Sequence, residues 1–179
     1  MRKLRLEELE RPSLAEYQKI DKLPIVVVLD NIRSAMNVGS IFRTCDAFAI
    51  EKIIVCGITA TPPNREITKT AIGATESVAW EFIADINNAV DKLKNDGYTI
   101  AGIEQTDQSL LLGNPIPKFE KIALVFGNEV EGVSDSILDK LDFCIEVPQF
   151  GTKHSLNVSV CAGVVLWEMV AHVIGLKHK

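Results

Sequence analysis

The stretch from Ile25 to Phe48, "IVVVLDNIRSAMNVGSIFRTCDAF", passes from an unbroken apolar run through a polar turn into a segment of helical character. The run does not alternate apolar with polar residues as a half-exposed strand does. It has the pattern of a strand covered on both faces. Four more runs share it: "KIIVCGI" from Lys52, "YTIAGIE" from Tyr98, "IALVFG" from Ile122 and "FCIEVP" from Phe143; "SVAWEF" from Ser77 is a further, shorter candidate. Helical segments lie between them. "ADINNAVDKLKNDG" ends at Gly97, suited to the turn after a helix, and "SDSILDKL" opens on Ser134 as an N-cap. A last helix is expected from Ser155 or Leu156 to about Ile174, with Gly175 ending it. This alternation predicts an α/β fold, an open and mostly parallel sheet with helices on both faces. Residues 1–22, beginning "MRKLRLEELERPSL", read as a charged helical arm, and residues 23–179 as the domain.

Composition bounds the function. With 179 residues, 47% of them apolar, the chain can bury one good core but is short for two. Cys45, Cys56, Cys144 and Cys161 lie far apart in apolar contexts, without metal-ligand spacing. Reduced, buried thiols in a cytoplasmic protein, with no zinc site, are expected. The N-terminus has no apolar core of signal-peptide length, and the apolar stretch from Val158 to Ile174 is broken by Ser159, Glu168 and His172. A soluble protein without a membrane span is expected. The net charge of −5 argues against bulk attraction to nucleic acid and leaves room for local basic patches. Two are visible, Arg33 with Arg43, and Arg65 with Lys69 in what reads as a loop, "TPPNREITKTAIGA".

Ligands of open α/β sheets sit beyond the carboxyl ends of the strands, and three polar clusters fall there. Asn31, Arg33, Asn37 and Arg43 follow the first strand, with Asn37 placed to cap the helix. In "LVFGNEVEGVS", Gly127 permits close approach of backbone to a ligand and Glu129 stands at the turn. In "FGTKHSLNVSV", Ser155 and Asn157 sit where a helix start favours anions and caps. Capping explains one of them and leaves the rest of "GTKHSLN" without a structural reason. Neither a dinucleotide fingerprint nor a phosphate-cradling P-loop is present, which sets aside a nucleotide-cofactor oxidoreductase. The last helix has no continuous polar face. A helix apolar all round is enclosed by protein, so a homodimer packed partly through it is expected.

"NVGSIFRTCDAF", "LVFGNEVEGVS" and "IEVPQFGTKHSLNVSVCAGVVLWE", in this order, resemble the three motifs of the SpoU family of RNA ribose methyltransferases, in the SPOUT superfamily. The likeness spans about Ile25 to Val173. It implies S-adenosylmethionine as methyl donor, a ribose 2′-hydroxyl as acceptor, a C-terminal trefoil knot and a dimer with its active site at the subunit interface. By motif position, Arg43 would be central beside a substrate phosphate, Ser155 would help hold that phosphate, and Asn37, Glu129 and Asn157 would orient the rest. Backbone groups of Gly127, Val147 and Leu156 would hold the cofactor, with Gln105 and Thr106 contributing. Arg33, Arg65, Lys69, Lys153 and His154 are candidate RNA contacts, each with a surface or structural reading beside it. The compact chain with its short arm leans toward tRNA over rRNA, although the arm's mixed charge departs from the basic helical extensions of some tRNA-modifying members. The alternative is a catalytically silent dimeric binding module that keeps the fold and lacks the chemistry.

Overall fold

The computed structural model describes residues 1–175; the last four residues of the expected domain, 176–179, lie outside them. The six apolar runs, joined by a two-residue strand not expected from sequence (β5), form a seven-stranded sheet: β1 (Leu23–Asp30), β2 (Ile50–Cys56), β3 (Ala79–Ile83), β4 (Thr99–Ile103), β5 (Leu110–Leu111), β6 (Ile122–Phe126) and β7 (Phe143–Glu146). The spatial order is β3-β2-β1-β6-β4-β7-β5, and every pairing is parallel. Strand β1 lies between β2 and β6, with Val27 opposite Ile53 on one side and Leu124 on the other.

The lack of alternation has a direct cause. Ile25, Val27 and Leu29 face one core while Val26 and Val28 face another, and all five are fully buried. Each such side chain contributes about 1.5–3 kcal/mol relative to exposure. The first core is covered by α2 (Ala35–Ala47) and α6 (Val158–Val173), with α3 (Arg65–Ala71) and α4 (Ala74–Ser77) beside them. The second is covered by α5 (Ile86–Asn95) and a 3-10 turn, Asp135–Lys140. Helix α5 buries Ile86, Ala89, Val90 and Leu93, the spacing of a single apolar stripe.

Helix α2 reaches α3 through Gly39, where an added Cβ would collide with the Ile67 carbonyl and the Thr70 hydroxyl. Thr70 Oγ1 completes the join by donating to the Met36 carbonyl at 3.0 Å.

Several local expectations are corrected. Ser34, not Asn37, caps α2, its hydroxyl accepting from the Asn37 N–H at 3.3 Å. The last helix starts at Val158 with Asn157 as its cap, which leaves Ser155 and Leu156 in the preceding loop. Residues 135–140 form a 3-10 turn in which Ser134 makes no side-chain cap bond, and its main-chain N–H donates to the Asp30 carboxylate at 2.8 Å. Arg65 and Lys69 lie on α3, capped by Asn64, rather than in a loop. The arm contains only two single turns, a 3-10 turn at Leu6–Leu9 and α1 at Leu14–Tyr17. Tyr17 is buried and its hydroxyl donates to the Asp46 carbonyl at 3.0 Å, so the end of the arm is fastened to α2.

The final helix is not enclosed within the chain. Val160, Val164 and Trp167 form an exposed stripe along α6, and the Trp167 ring meets that of Phe48 at 5.9 Å. Among the described residues no helix is long and apolar enough to cross a membrane.

Candidate functional site

The carboxyl ends of β4, β6 and β7 open onto a cavity of about 520 Å³, closed on one side by the segment from Val147 to Asn157 and the start of α6. Of the residues selected from sequence, Gly127, Glu129, Gln105, Val147, His154, Ser155, Leu156 and Asn157 line it. The main-chain groups of Gly127, Val147 and Leu156 make no hydrogen bond among the described residues. They are therefore free to meet polar groups of a ligand.

Gly127 has a different reason from the one expected. Its missing Cβ leaves room for the protein's own backbone, at Gly132 and Val133, rather than for a ligand. The loop that folds back over it is closed by paired bonds between Asn128 and Gly132, at 2.8 and 2.9 Å. Asn128 organises this turn. Its Oδ1 accepts from the N–H groups of Val130 and Glu131, and its Nδ2 donates to the Asn31 carbonyl at 2.8 Å.

The three polar clusters meet at the cavity mouth. Glu129 accepts from the N–H groups of Arg33 at 2.8 Å and Ser34 at 3.1 Å, and from the Asn37 amide at 3.0 Å. Asn37 Oδ1 in turn accepts from Asn157 Nδ2 at 3.1 Å. Asn157 Oδ1 caps α6 by accepting from the N–H of Ser159 at 2.9 Å and of Val160 at 3.3 Å. Residues 120 positions apart thus form one continuous chain, Glu129 to Asn37 to Asn157.

Burial alone would raise the Glu129 carboxyl, but the N–H groups and the Asn37 amide around it outweigh this and hold it below its ordinary value of 4.5. A lowered folded-state value stabilises the fold above the unfolded value, and that stabilisation is lost as pH falls through the folded value. Melting temperatures of wild type and Glu129→Gln measured from pH 7 to pH 3 are therefore expected to converge below about pH 4.5. A gap that widens on acidification would contradict this assignment.

Other residues fall elsewhere. Arg43 does not line the cavity. It lies in a shallow groove between α2 and α3 with Ser40, Thr44, Phe48, Lys69 and Thr70, and makes no ion pair or hydrogen bond among the described residues. The basic patches are regrouped accordingly, Arg43 with Lys69. Thr106 is taken up by a turn, accepting from the N–H groups of Gln108 and Ser109 and donating its own to Ser109 Oγ. Arg33 and Lys153 are exposed, and Arg65 is exposed on α3. Gln105 Nε2 donates to the His154 carbonyl at 3.0 Å, tying the loop after β4 to the segment before α6.

Sequence reading missed Glu104, Asn128 and Glu146, which also line the cavity. Their signal was position, a polar residue at or just beyond the end of an apolar strand. The four cysteines are free thiols, as expected, and Cys161 borders the cavity, its thiol pushed up to about 11 by burial and by the Glu104 charge. Among the described residues no group of three or more His, Cys, Asp or Glu could hold a metal ion.

Comparison with known proteins gives the same picture of the fold. A protein of Borreliella burgdorferi described as an uncharacterized tRNA/rRNA methyltransferase is 33% identical over 88% of this chain and 68% of its own length. A Staphylococcus saprophyticus protein assigned to the TrmH family of tRNA/rRNA methyltransferases is 31% identical over 87% of this chain and 62% of its own. The chain thus spans a little under two thirds to about two thirds of these relatives. Among solved structures, the A. aeolicus TrmH/SpoU tRNA modifying enzyme superposes with a TM-score of 0.78 at 27% identity, covering 90% of this chain and 82% of that one. The AdoMet-bound rRNA methyltransferase of Sinorhizobium meliloti shares the fold at a TM-score of 0.78 and 23% identity, over 90% of this chain and 61% of that one. The model of the SpoU rRNA Methylase family matches residues 24–167, which contain all three polar clusters and every strand from β2 to β7, and the chain belongs to that family.

Proposed function

We propose that this protein is an S-adenosylmethionine-dependent RNA methyltransferase acting on a ribose 2′-hydroxyl, with tRNA favoured over rRNA as substrate. The observation that carries the reading is the chain from Glu129 through Asn37 to Asn157, which joins all three family motifs at one cavity. Relatives named as tRNA/rRNA methyltransferases and an AdoMet-bound neighbour support it.

The residues present suit the donor. The cavity has the size of small-molecule sites, about 300–1,000 Å³, and unpaired main-chain groups of Gly127, Val147 and Leu156 line it. When bound, S-adenosylmethionine supplies a methyl group on a good leaving group. The chain has then to align the acceptor oxygen and help its proton leave. Asn157 and Asn37 hold the cavity mouth, with Ser155 exposed beside them to meet a phosphate. Arg43 clamps the RNA backbone. Its guanidinium stays a cation, which suits a phosphate clamp better than proton abstraction.

Arg43 and the cavity are separate features of one chain, so a composite site needs a second copy. The exposed Val160, Val164 and Trp167 stripe reaches Phe48, which lines the Arg43 groove. A homodimer through α6 would bring one protomer's groove to the cavity mouth of the other. The C-terminal trefoil knot implied by the resemblance belongs to the same reading. In sedimentation at micromolar concentration the wild type is expected to be a dimer and Trp167→Asp a monomer. A monomeric wild type would remove the composite site.

The activity itself is tested with labelled S-adenosylmethionine and unmodified tRNA and rRNA fractions, followed by digestion to nucleosides. The expected result is label in a 2′-O-methylated nucleoside from the tRNA fraction. Label on a base would overturn the ribose assignment, and label only in rRNA the substrate preference. Donor binding without transfer to either fraction would instead describe a silent binding module.

A further inference from the structure

The cavity is acidic. Glu104, Glu129 and Glu146 line it and, among the described residues, no Lys or Arg does. None of the three forms an ion pair among the described residues. Glu129 is occupied by its three donors at the mouth, and Glu146 accepts from the Ser109 hydroxyl at 3.0 Å.

Glu104 is placed differently. It follows β4 directly, and its own N–H donates to the Ile145 carbonyl at 3.1 Å. Its carboxylate is fixed by two backbone donors, the N–H of Val133 at 2.9 Å and of Gln105 at 2.9 Å. Both donors are neutral, so they orient the charge without cancelling it. The charge also reaches two thiols: Cys161 is pushed up by burial and then by Glu104, and Cys144 by burial, against a lowering hydrogen bond with Thr106, with Glu104 adding to the rise.

Resting on the methyl-donor reading above, we infer that Glu104 is a specificity-determining residue that makes the site selective for the charge on sulfur. S-adenosylmethionine and S-adenosylhomocysteine carry the same adenosine, ammonium and carboxylate groups. They differ by one methyl group and one positive charge. In transfer the methyl–sulfur bond breaks with its electron pair left on sulfur, the 2′ oxygen gains the methyl group, and the hydroxyl proton leaves to solvent. Sulfur is then neutral, and the oriented carboxylate no longer attracts it. In a partly desolvated cavity such an attraction is far stronger than in water. Glu104 thus favours entry of the donor and release of the spent product.

The test is calorimetric titration of both ligands, with sinefungin, which carries an ammonium in place of the methylated sulfur, as a cationic control. Wild type is expected to bind S-adenosylmethionine and sinefungin about fivefold to tenfold more tightly than S-adenosylhomocysteine. Glu104→Gln is expected to bring that ratio toward one while keeping its affinity for S-adenosylhomocysteine. Equal weakening of all three ligands would show a structural role only and overturn the inference. So would an unchanged ratio, or a wild type that binds the charged and neutral ligands alike. If Glu104→Gln fails to fold, Glu104→Asp and Glu104→Ala are used. Asp keeps the charge and is expected to keep the preference, Ala removes both, and a preference that survives in Glu104→Ala overturns the inference. Binding of none of the ligands by wild type defeats the methyl-donor reading itself, a result distinct from binding without preference.

Discussion

Arg43→Ala is expected to reduce methyl transfer by about 10²–10³-fold, in the range seen when a single group that stabilises charge in a reaction is removed. The melting temperature should stay where it was. Arg43 is exposed and has no partner among the described residues, so its loss removes no interaction that holds the fold. Surface changes of that kind usually fall within about 0.5 kcal/mol. Arg43→Lys should be nearly as inactive, because one ammonium cannot reproduce the planar, two-pronged contact of guanidinium with phosphate. The residue shares its groove with Lys69, which offers a second cation to the same RNA backbone. Wild-type turnover by Arg43→Lys, measured with the RNA fraction that accepts label, would count against both a clamping and a proton-accepting role.

Gly127→Ala is the counterpart, expected to act on the fold first and on activity only through it. A Cβ at this position would overlap the backbone of Gly132 and Val133. Backbone cannot turn aside as a flexible side chain can. Accommodation would lift the 128–134 loop away from β6, loosening the Asn128–Gly132 pair, the Val133 bond to Glu104 and the Ser134 bond to the fully buried Asp30. Overpacking typically costs about 1–3 kcal/mol, and with several bonds at risk the upper end is expected here. The check is the urea midpoint with an unchanged slope, together with loss of donor binding. A midpoint like that of wild type would mean that the loop yields without cost and that the glycine serves some other purpose.

Much of the site was legible before the structure because its chemistry is local. Asn37, Glu129, Ser155 and Asn157 stand in the polar turns and helix starts that follow apolar runs, where an amide, hydroxyl or carboxylate packed against the core needs either a partner or a ligand. That Asn37, Glu129 and Asn157 are one another's partners was not legible. Asn37 and Asn157 are 120 residues apart, and only the return of α6 against α2 brings their amides to 3.1 Å. Asn37 looked like a cap because caps are recognised by residue type. Ser34 takes the cap instead, leaving the Asn37 side chain free to join Glu129 to Asn157. Arg65 and Lys69 read as a loop because the prolines before them dominate the local pattern, while Asn64 supplies a cap that starts a helix immediately afterward.

The sequence by itself determined every strand but the two-residue β5, and the class of fold, since a run of apolar residues without alternation is stable only when both faces are covered. It also determined which side chains stand at the strand ends. Tertiary structure decided the rest: the order β3-β2-β1-β6-β4-β7-β5, the placing of Arg43 away from the cavity, and the role of Gly127 against its own chain. Periodicity records what each residue buries. Which distant segment does the burying depends on competition among strand pairings and helix contacts across the whole chain, and no local pattern carries that information.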